Sequence, residues 1–270
     1  MSLFDACRNG DLEMVKLLMK DENDFKSPKF WLLIELACTH GHVEVIEHIY
    51  EKCHDIQVFF EPHFIAAVKK GHLRVVKFLA DKGIGIHTNN DYALLWAASS
   101  GHLEVVKYLV EKGLDIHIKD DYALIWAASN GHFEVVKYLV EKGSDIHAKD
   151  DQPLQYACVF GHLKVAKYLV EKGAHIHADN DYGFRRACHN GHFQVSKFLM
   201  EKGCDISLIP EKDRNKVMRY ITLCDKVEKR AANKIGSWWI PICYDLNREC
   251  GKRMMERSWK RVEEMYAERN

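Results

Sequence analysis

Two hydrophobic rhythms alternate along the chain, and residues 91–120 show both. From Tyr92 to Ser100 apolar side chains run almost without interruption, preceded by Asp91, a residue of the kind that caps a helix N-terminus. Gly101 follows, able to take the left-handed conformation that ends a helix. From His102 to Lys112 the spacing changes. Leu103, Val106, Leu109 and Val110 recur at helical intervals on one face, and Glu104, Lys107, Glu111 and Lys112 fall on the other. Gly113 stops this second helix, and Leu114-Asp115-Ile116-His117 carries the chain back, with Ile116 as the expected buried residue. The predicted unit is helix, turn, helix, loop, and the predicted class is all-α.

The unit recurs. Gly41, Gly71, Gly101, Gly131, Gly161 and Gly191 stand 30 residues apart, each followed by histidine, and residues 121–150 differ from 91–120 at only five positions. Helices this short are marginal alone in water, since isolated helices below about 12–15 residues scarcely form. Each must therefore bury its apolar face on the next repeat, which defines a stacked repeat protein. Small residues at Ala97 and Ala98 let the layers approach, and Cys7, Cys38, Cys158 and Cys188 fill the position of Ala98 elsewhere.

The pattern degrades toward both ends. Asp11 replaces histidine after Gly10, Asp21-Glu22-Asn23-Asp24 makes a polar junction, and Cys53 takes a helix-ending glycine position. After Pro210 the period stops, so residues 1–210 are assigned to the repeat domain and 211–270 to a C-terminal helical cap and tail. A charged helix over 211–234 aligns Val217, Ile221, Cys224 and Val227 as the cap of the stack. Beyond it lies the most aromatic stretch of the chain, which includes Trp238, Trp239 and Ile240, and then a last amphipathic helix near 247–268. The aromatic strip either packs under that helix or forms a second docking surface.

Composition narrows the function. The 39 basic and 39 acidic side chains cancel, so neither a nucleic-acid nor a membrane partner is expected. No apolar run approaches the roughly 20 residues that span a bilayer, and the start has no signal-peptide core. Nine cysteines without paired spacing point to a reducing, cytoplasmic setting.

The strings ALLWAASSGHLEVVKYLVEKGLDIH and ALIWAASNGHFEVVKYLVEKGSDIH closely resemble ankyrin repeats, over about residues 1–210 as seven repeats. The resemblance implies a solenoid of helix pairs with projecting β-hairpin fingers. Ankyrin repeats usually span 33 residues, and the three missing here shorten the finger by roughly 5 Å at about 3.3 Å per residue. The 30-residue form is similar to the large ankyrin families of giant DNA viruses, which implies host proteins as partners. The family binds proteins on a concave face built from the fingers and from the two residues before the turn glycine. By position these pairs are Lys69-Lys70, Ser99-Ser100, Ser129-Asn130, Val159-Phe160 and His189-Asn190. A second ladder runs through Trp96, Trp126, Tyr156 and Arg186, with Arg185 beside it; its aromatics either pack between adjacent first helices or serve as partly exposed anchors. The expected function is a non-catalytic protein-interaction module without cofactor. The alternative is an adaptor whose repeats bind a client and whose tail recruits a second component, for example a ubiquitin ligase.

Sixteen histidines raise the question of metal. Equivalent positions in adjacent layers lie about 8–10 Å apart, too far to share an ion bound at about 2.0–2.1 Å. The histidines after the turn glycine, and His87, His117, His147 and His177 after the loop isoleucine, are expected to bond loop backbone. His40, His48, His54 and His63 with Cys53 match no zinc spacing, so no metal site is expected. Cys188-His189-Asn190 holds the residue types of a cysteine-protease set, but consecutive helical residues diverge by about 100° and cannot form a relay. Glutamates three residues before Lys107 and Lys137 largely cancel the field of a possible anion surface.

Overall fold

The computed structural model describes residues 2–19, 28–52, 61–84 and 92–234. Seven helix pairs follow one another: α1 (Leu3–Asn9) with α2 (Leu12–Leu18), α3 (Pro28–His40) with α4 (Val43–Lys52), α5 (Glu61–Lys70) with α6 (Leu73–Asp81), and α7 (Tyr92–Ser99) with α8 (Leu103–Glu111). The remaining pairs are α9 (Ile118–Ser129) with α10 (Phe133–Glu141), α11 (Ala148–Val159) with α12 (Leu163–Glu171), and α13 (Ala178–His189) with α14 (Phe193–Glu201). First helices contact first helices and second helices contact second helices, so the repeats form two layers. A helix α15 (Glu211–Lys234) follows, on which Val217, Tyr220 and Cys224 are buried and Ile221 is half-buried. Contacts divide the chain into two compact units, Met1–Arg214 and Asn215–Asn270. Asp91, Cys53, His54, His87, the aromatic strip with Trp238, Trp239 and Ile240, and the last predicted helix lie outside the described residues. None of the described helices is long and apolar enough to cross a membrane.

Small side chains set the spacing of the first layer. Ala97, Ala98, Ala127, Ala128, Ala157 and Ala187 are fully buried, and Cys38 and Cys188 stand in the same register, also fully buried. In the second layer Val105, Val106 and Leu109 are buried, while Leu103 and Val110, expected on the same face, are half-covered.

Both turns of the repeat are Schellman motifs, in which two N–H groups beyond the helix recover its orphaned carbonyls. After the first helix the Gly101 N–H reaches Ala98 O at 3.2 Å and the His102 N–H reaches Ala97 O at 3.1 Å. After the second, Gly113 donates to Val110 O at 3.0 Å and Leu114 to Leu109 O at 3.2 Å. The residue after the second glycine is folded onto the helix it leaves. Leu114 is therefore the buried loop residue, at 3 % exposure, and Ile116 is only half-covered, contrary to the sequence expectation.

The turn glycine has a second duty. Gly131 lies at φ 75°, and a Cβ on it would stand 2.4 Å from Nδ1 of His162, the histidine of the next repeat. That ring lies flat on the glycine, and its Nε2 donates to the Ser129 carbonyl at 2.9 Å. The same clasp joins His42 to Arg8 O, His72 to Thr39 O, His102 to Lys69 O and His132 to Ser99 O, at 2.7–2.9 Å. These histidines thus bond backbone of the preceding repeat, across the seam. His72, His102, His132 and His162 occupy the N-cap of the second helix yet make no side-chain cap bond there. Asp11 instead caps α2, accepting the Met14 N–H at 3.0 Å.

The expected hairpin finger is absent from repeats five to seven. In its place three consecutive residues turn left-handed: Lys119-Asp120-Asp121, Lys149-Asp150-Asp151 and Asp179-Asn180-Asp181, all at φ between 48° and 61°. With three residues fewer than the usual unit, the loop has no chain left for two strand arms. Asp and Asn tolerate the left-handed region better than other non-glycine residues, which explains why they fill seven of these nine positions.

Candidate functional site

Residues at the C-terminal ends of the first helices form one candidate surface. Lys69 and Lys70 are exposed, Ser99 and Ser100 half-buried, Ser129 half-buried and Asn130 exposed. Phe160 is 52 % exposed, and His189 and Asn190 are exposed. Val159, expected at this surface, is 8 % exposed and belongs to the core: it keeps the register of Ser99 and Ser129, but its apolar side chain is covered. The two asparagines are partly engaged across the seam: Asn130 Nδ2 donates to Ser99 O at 2.9 Å, and Asn190 Nδ2 to Val159 O at 2.8 Å.

The ladder beside these pairs is half packing and half surface. Trp96 and Trp126 meet edge to face at 5.6 Å, each half-buried, and the Lys69 ammonium lies 3.6 Å from the centre of the Trp96 ring. Such cation–π contacts contribute about 0.5–1 kcal/mol at exposed sites. Tyr156 leans on Phe160 at 6.4 Å. Arg185 is half-buried and donates to Asp179 O at 3.4 Å, whereas Arg186 is exposed. The face runs from two lysines through paired aromatics to an exposed phenylalanine and arginine.

At the other end of the repeats, Asp121, Asp151 and Asp181 close their left-handed turns with carboxylates that are 3–6 % exposed. Asp121 accepts from Asp145 N–H at 3.2 Å and faces His117 Nδ1 at 3.2 Å. Asp151 accepts the His175 N–H at 2.9 Å and faces both His147 Nδ1 at 2.9 Å and His175 Nδ1 at 3.0 Å. Asp181 faces His177 Nδ1 at 2.6 Å, with Cys204 Sγ 4.0 Å away. The loop histidines thus meet carboxylates where backbone was expected. The sequence reading missed these carboxylates, and it also missed His175, which falls outside the periodic set.

Among the described residues, burial holds cysteine thiols in the protonated form: it pushes those of Cys7 and Cys188 up to about 11 and that of Cys204 up to about 12. His189, next to Cys188 in sequence, turns to Asp213 at 3.2 Å. Among the lysines considered for anion binding, Lys107 is paired with Glu104 at 2.7 Å, Lys137 lies 3.9 Å from Glu141, and Glu134 faces Lys164 at 3.5 Å.

A two-layer stack of recurring helix pairs, with varied side chains at the ends of the first helices and a core of small apolar residues, defines a helical repeat protein. The model of ankyrin repeats (3 copies) matches residues 34–120, 118–181 and 151–210, more than half of the chain, and the chain belongs to the ankyrin repeat family. Ankyrin repeats as a class mediate protein–protein interaction and are typically non-catalytic. A comparison with curated proteins finds no match.

Proposed function

We propose that this chain is a non-catalytic interaction module that grips a partner protein on the face formed by Trp96, Trp126, Tyr156, Phe160 and Arg186. The observation that carries the reading is Phe160. It is the one aromatic among the large apolar side chains left exposed in the described residues, and it sits beside Tyr156 at a position where the other repeats of this face carry Lys70, Ser100, Asn130 and Asn190. Aromatic and arginine side chains are the usual anchors of interfaces. Lys69, Lys70 and Arg186 favour a partner that presents carboxylates around an apolar patch.

The test is a paired substitution, Phe160→Ala with Arg186→Ala, read by quantitative affinity capture and by thermal unfolding. Loss of a specific captured protein at unchanged melting temperature supports the reading. An equal fall in stability would show that the two residues serve the fold, and an unchanged capture profile would move the partner surface elsewhere.

A further inference from the structure

One position breaks the repeat frame where two loops meet. Asp115, Asp145 and Asp205 occupy the second residue after the helix-ending glycine, and each accepts the N–H two residues on, at 2.8–2.9 Å. In the sixth repeat that residue is His175. The loop there gives up the aspartate turn bond and gains an imidazole that reaches back toward the fifth repeat. The ring stacks on His147, with centroids 4.4 Å apart and planes 28° from parallel. Both rings aim Nδ1 at Asp151, whose carboxylate is almost wholly buried between them.

We propose that His147, Asp151 and His175 form a binding site for a divalent first-row transition ion of the zinc class. The three ligand atoms lie within 4.8 Å of one another. A tetrahedral ion with bonds of about 2.0–2.1 Å holds its ligand atoms about 3.3 Å apart. His147 Nδ1 lies 2.9 Å from Oδ1 of Asp151 and His175 Nδ1 lies 3.0 Å from its Oδ2, each already slightly shorter than that, so the carboxylate offers one oxygen to each imidazole. The imidazoles are surface side chains, 42 % and 71 % exposed, and can swing apart by the small amount an ion needs without disturbing the core. Two neutral imidazoles and one carboxylate are a donor set that suits zinc, and they leave its fourth position open. Equivalent residues one full repeat apart lie too far from each other to share an ion, but His175 lies 28 residues from His147 and is not its equivalent.

The neighbouring carboxylates show what the break adds. Asp121 faces a single histidine, His117. Asp181 has His177 and the Cys204 thiol, but that thiol is buried and points its sulfur at a negative charge, which opposes the thiolate a metal requires. Among the described residues, only the sixth repeat combines two imidazoles with the carboxylate. Asp151 and His175 also line a groove of about 800 Å³, together with His177, Asp179 and Lys202, through which an ion has access.

The experiment is calorimetric titration of the full chain with zinc and, to disfavour thiol ligands, with nickel. His175→Asn keeps a side chain able to accept the turn N–H, as aspartate does in the other repeats, while removing the second imidazole. The expected result is loss of one equivalent of ion, or at least a tenfold weaker site, in His175→Asn, with His117→Asn titrating like the unaltered chain. Identical isotherms for His175→Asn and the unaltered chain overturn the proposal, as does equal weakening by His117→Asn. Should His175→Asn fail to fold, zinc-edge anomalous scattering from crystals of the unaltered chain decides: a peak within bonding distance of the two Nδ1 atoms supports the site, and none there refutes it.

Discussion

Adjacent repeats are joined by two seams, and the two are built differently. At the turn end a histidine ring lies on a left-handed glycine and donates to a carbonyl, and this joint is the same at Gly10, Gly41, Gly71, Gly101 and Gly131. At the loop end a buried aspartate closes a left-handed turn, but its partners change from Asp121 to Asp151 to Asp181. The first seam uses backbone and one ring, so whatever side chains flank it leave it intact. The second works through side chains, and a single exchange such as the histidine at 175 remodels it. Uniformity marks architecture here, and departure from it marks the place to look for a specific activity.

The sharpest way to break the turn seam is Gly131→Ala. The left-handed backbone costs a non-glycine residue about 1–2 kcal/mol. The added Cβ also displaces the His162 ring, and the lost bond costs about 1 kcal/mol more. A total of about 2–3 kcal/mol is expected from denaturant unfolding. Gly113→Ala is the control: φ is 93° but nothing lies within 4 Å of its Cβ, so only the backbone cost should appear. Equal losses at the two sites would show that the ring contact contributes nothing.

Removing the ring itself should have a smaller and graded effect. His162→Ala withdraws the donor from the Ser129 carbonyl, and a polar group stripped of its partner costs about 1–3 kcal/mol. His132→Ala should cost less, because the Ser99 carbonyl keeps the Asn130 Nδ2 donor. Unfolding of both variants and of the pair with Asn130→Ala measures the difference.

The smallest effect concerns pH. His63 on α5 is buried, and burial lowers its pKa in the folded chain. The unfolded chain, with a pKa of about 6.5, then binds the proton more readily. Stability from this group is therefore complete above that value and declines as pH falls through it, by at most about 1.4 kcal/mol per pH unit. His63→Leu should flatten the fall in stability between pH 7 and 5 relative to the unaltered chain; parallel curves would place the proton elsewhere.

Much of this was legible from spacing alone. The helix pairs, the alanine layer and the cysteines that replace alanine follow from short-range pattern, because stacking demands small residues at fixed intervals. Ile116 misled because periodicity does not carry the geometry of a Schellman turn, which buries the residue directly after the glycine, Leu114. The loop histidines misled for a related reason. Their carboxylate partners come within reach only once three residues turn left-handed, and the cue for that was the Asp and Asn at 120–121, 150–151 and 179–181. Val159 shows the limit of carrying surface positions across repeats: its register is shared with Ser99 and Ser129, yet its apolar side chain settles inward.

The glycine–histidine joint depends on an offset in the chain and not on the identity of the unit that supplies either half. A tract of thirty residues copied in tandem therefore arrives with both halves of a working fastener, and the new copy fits its neighbours from the first generation. The array can lengthen or shorten by whole units without inventing a contact, and two of its units, 91–120 and 121–150, are alike at all but five positions.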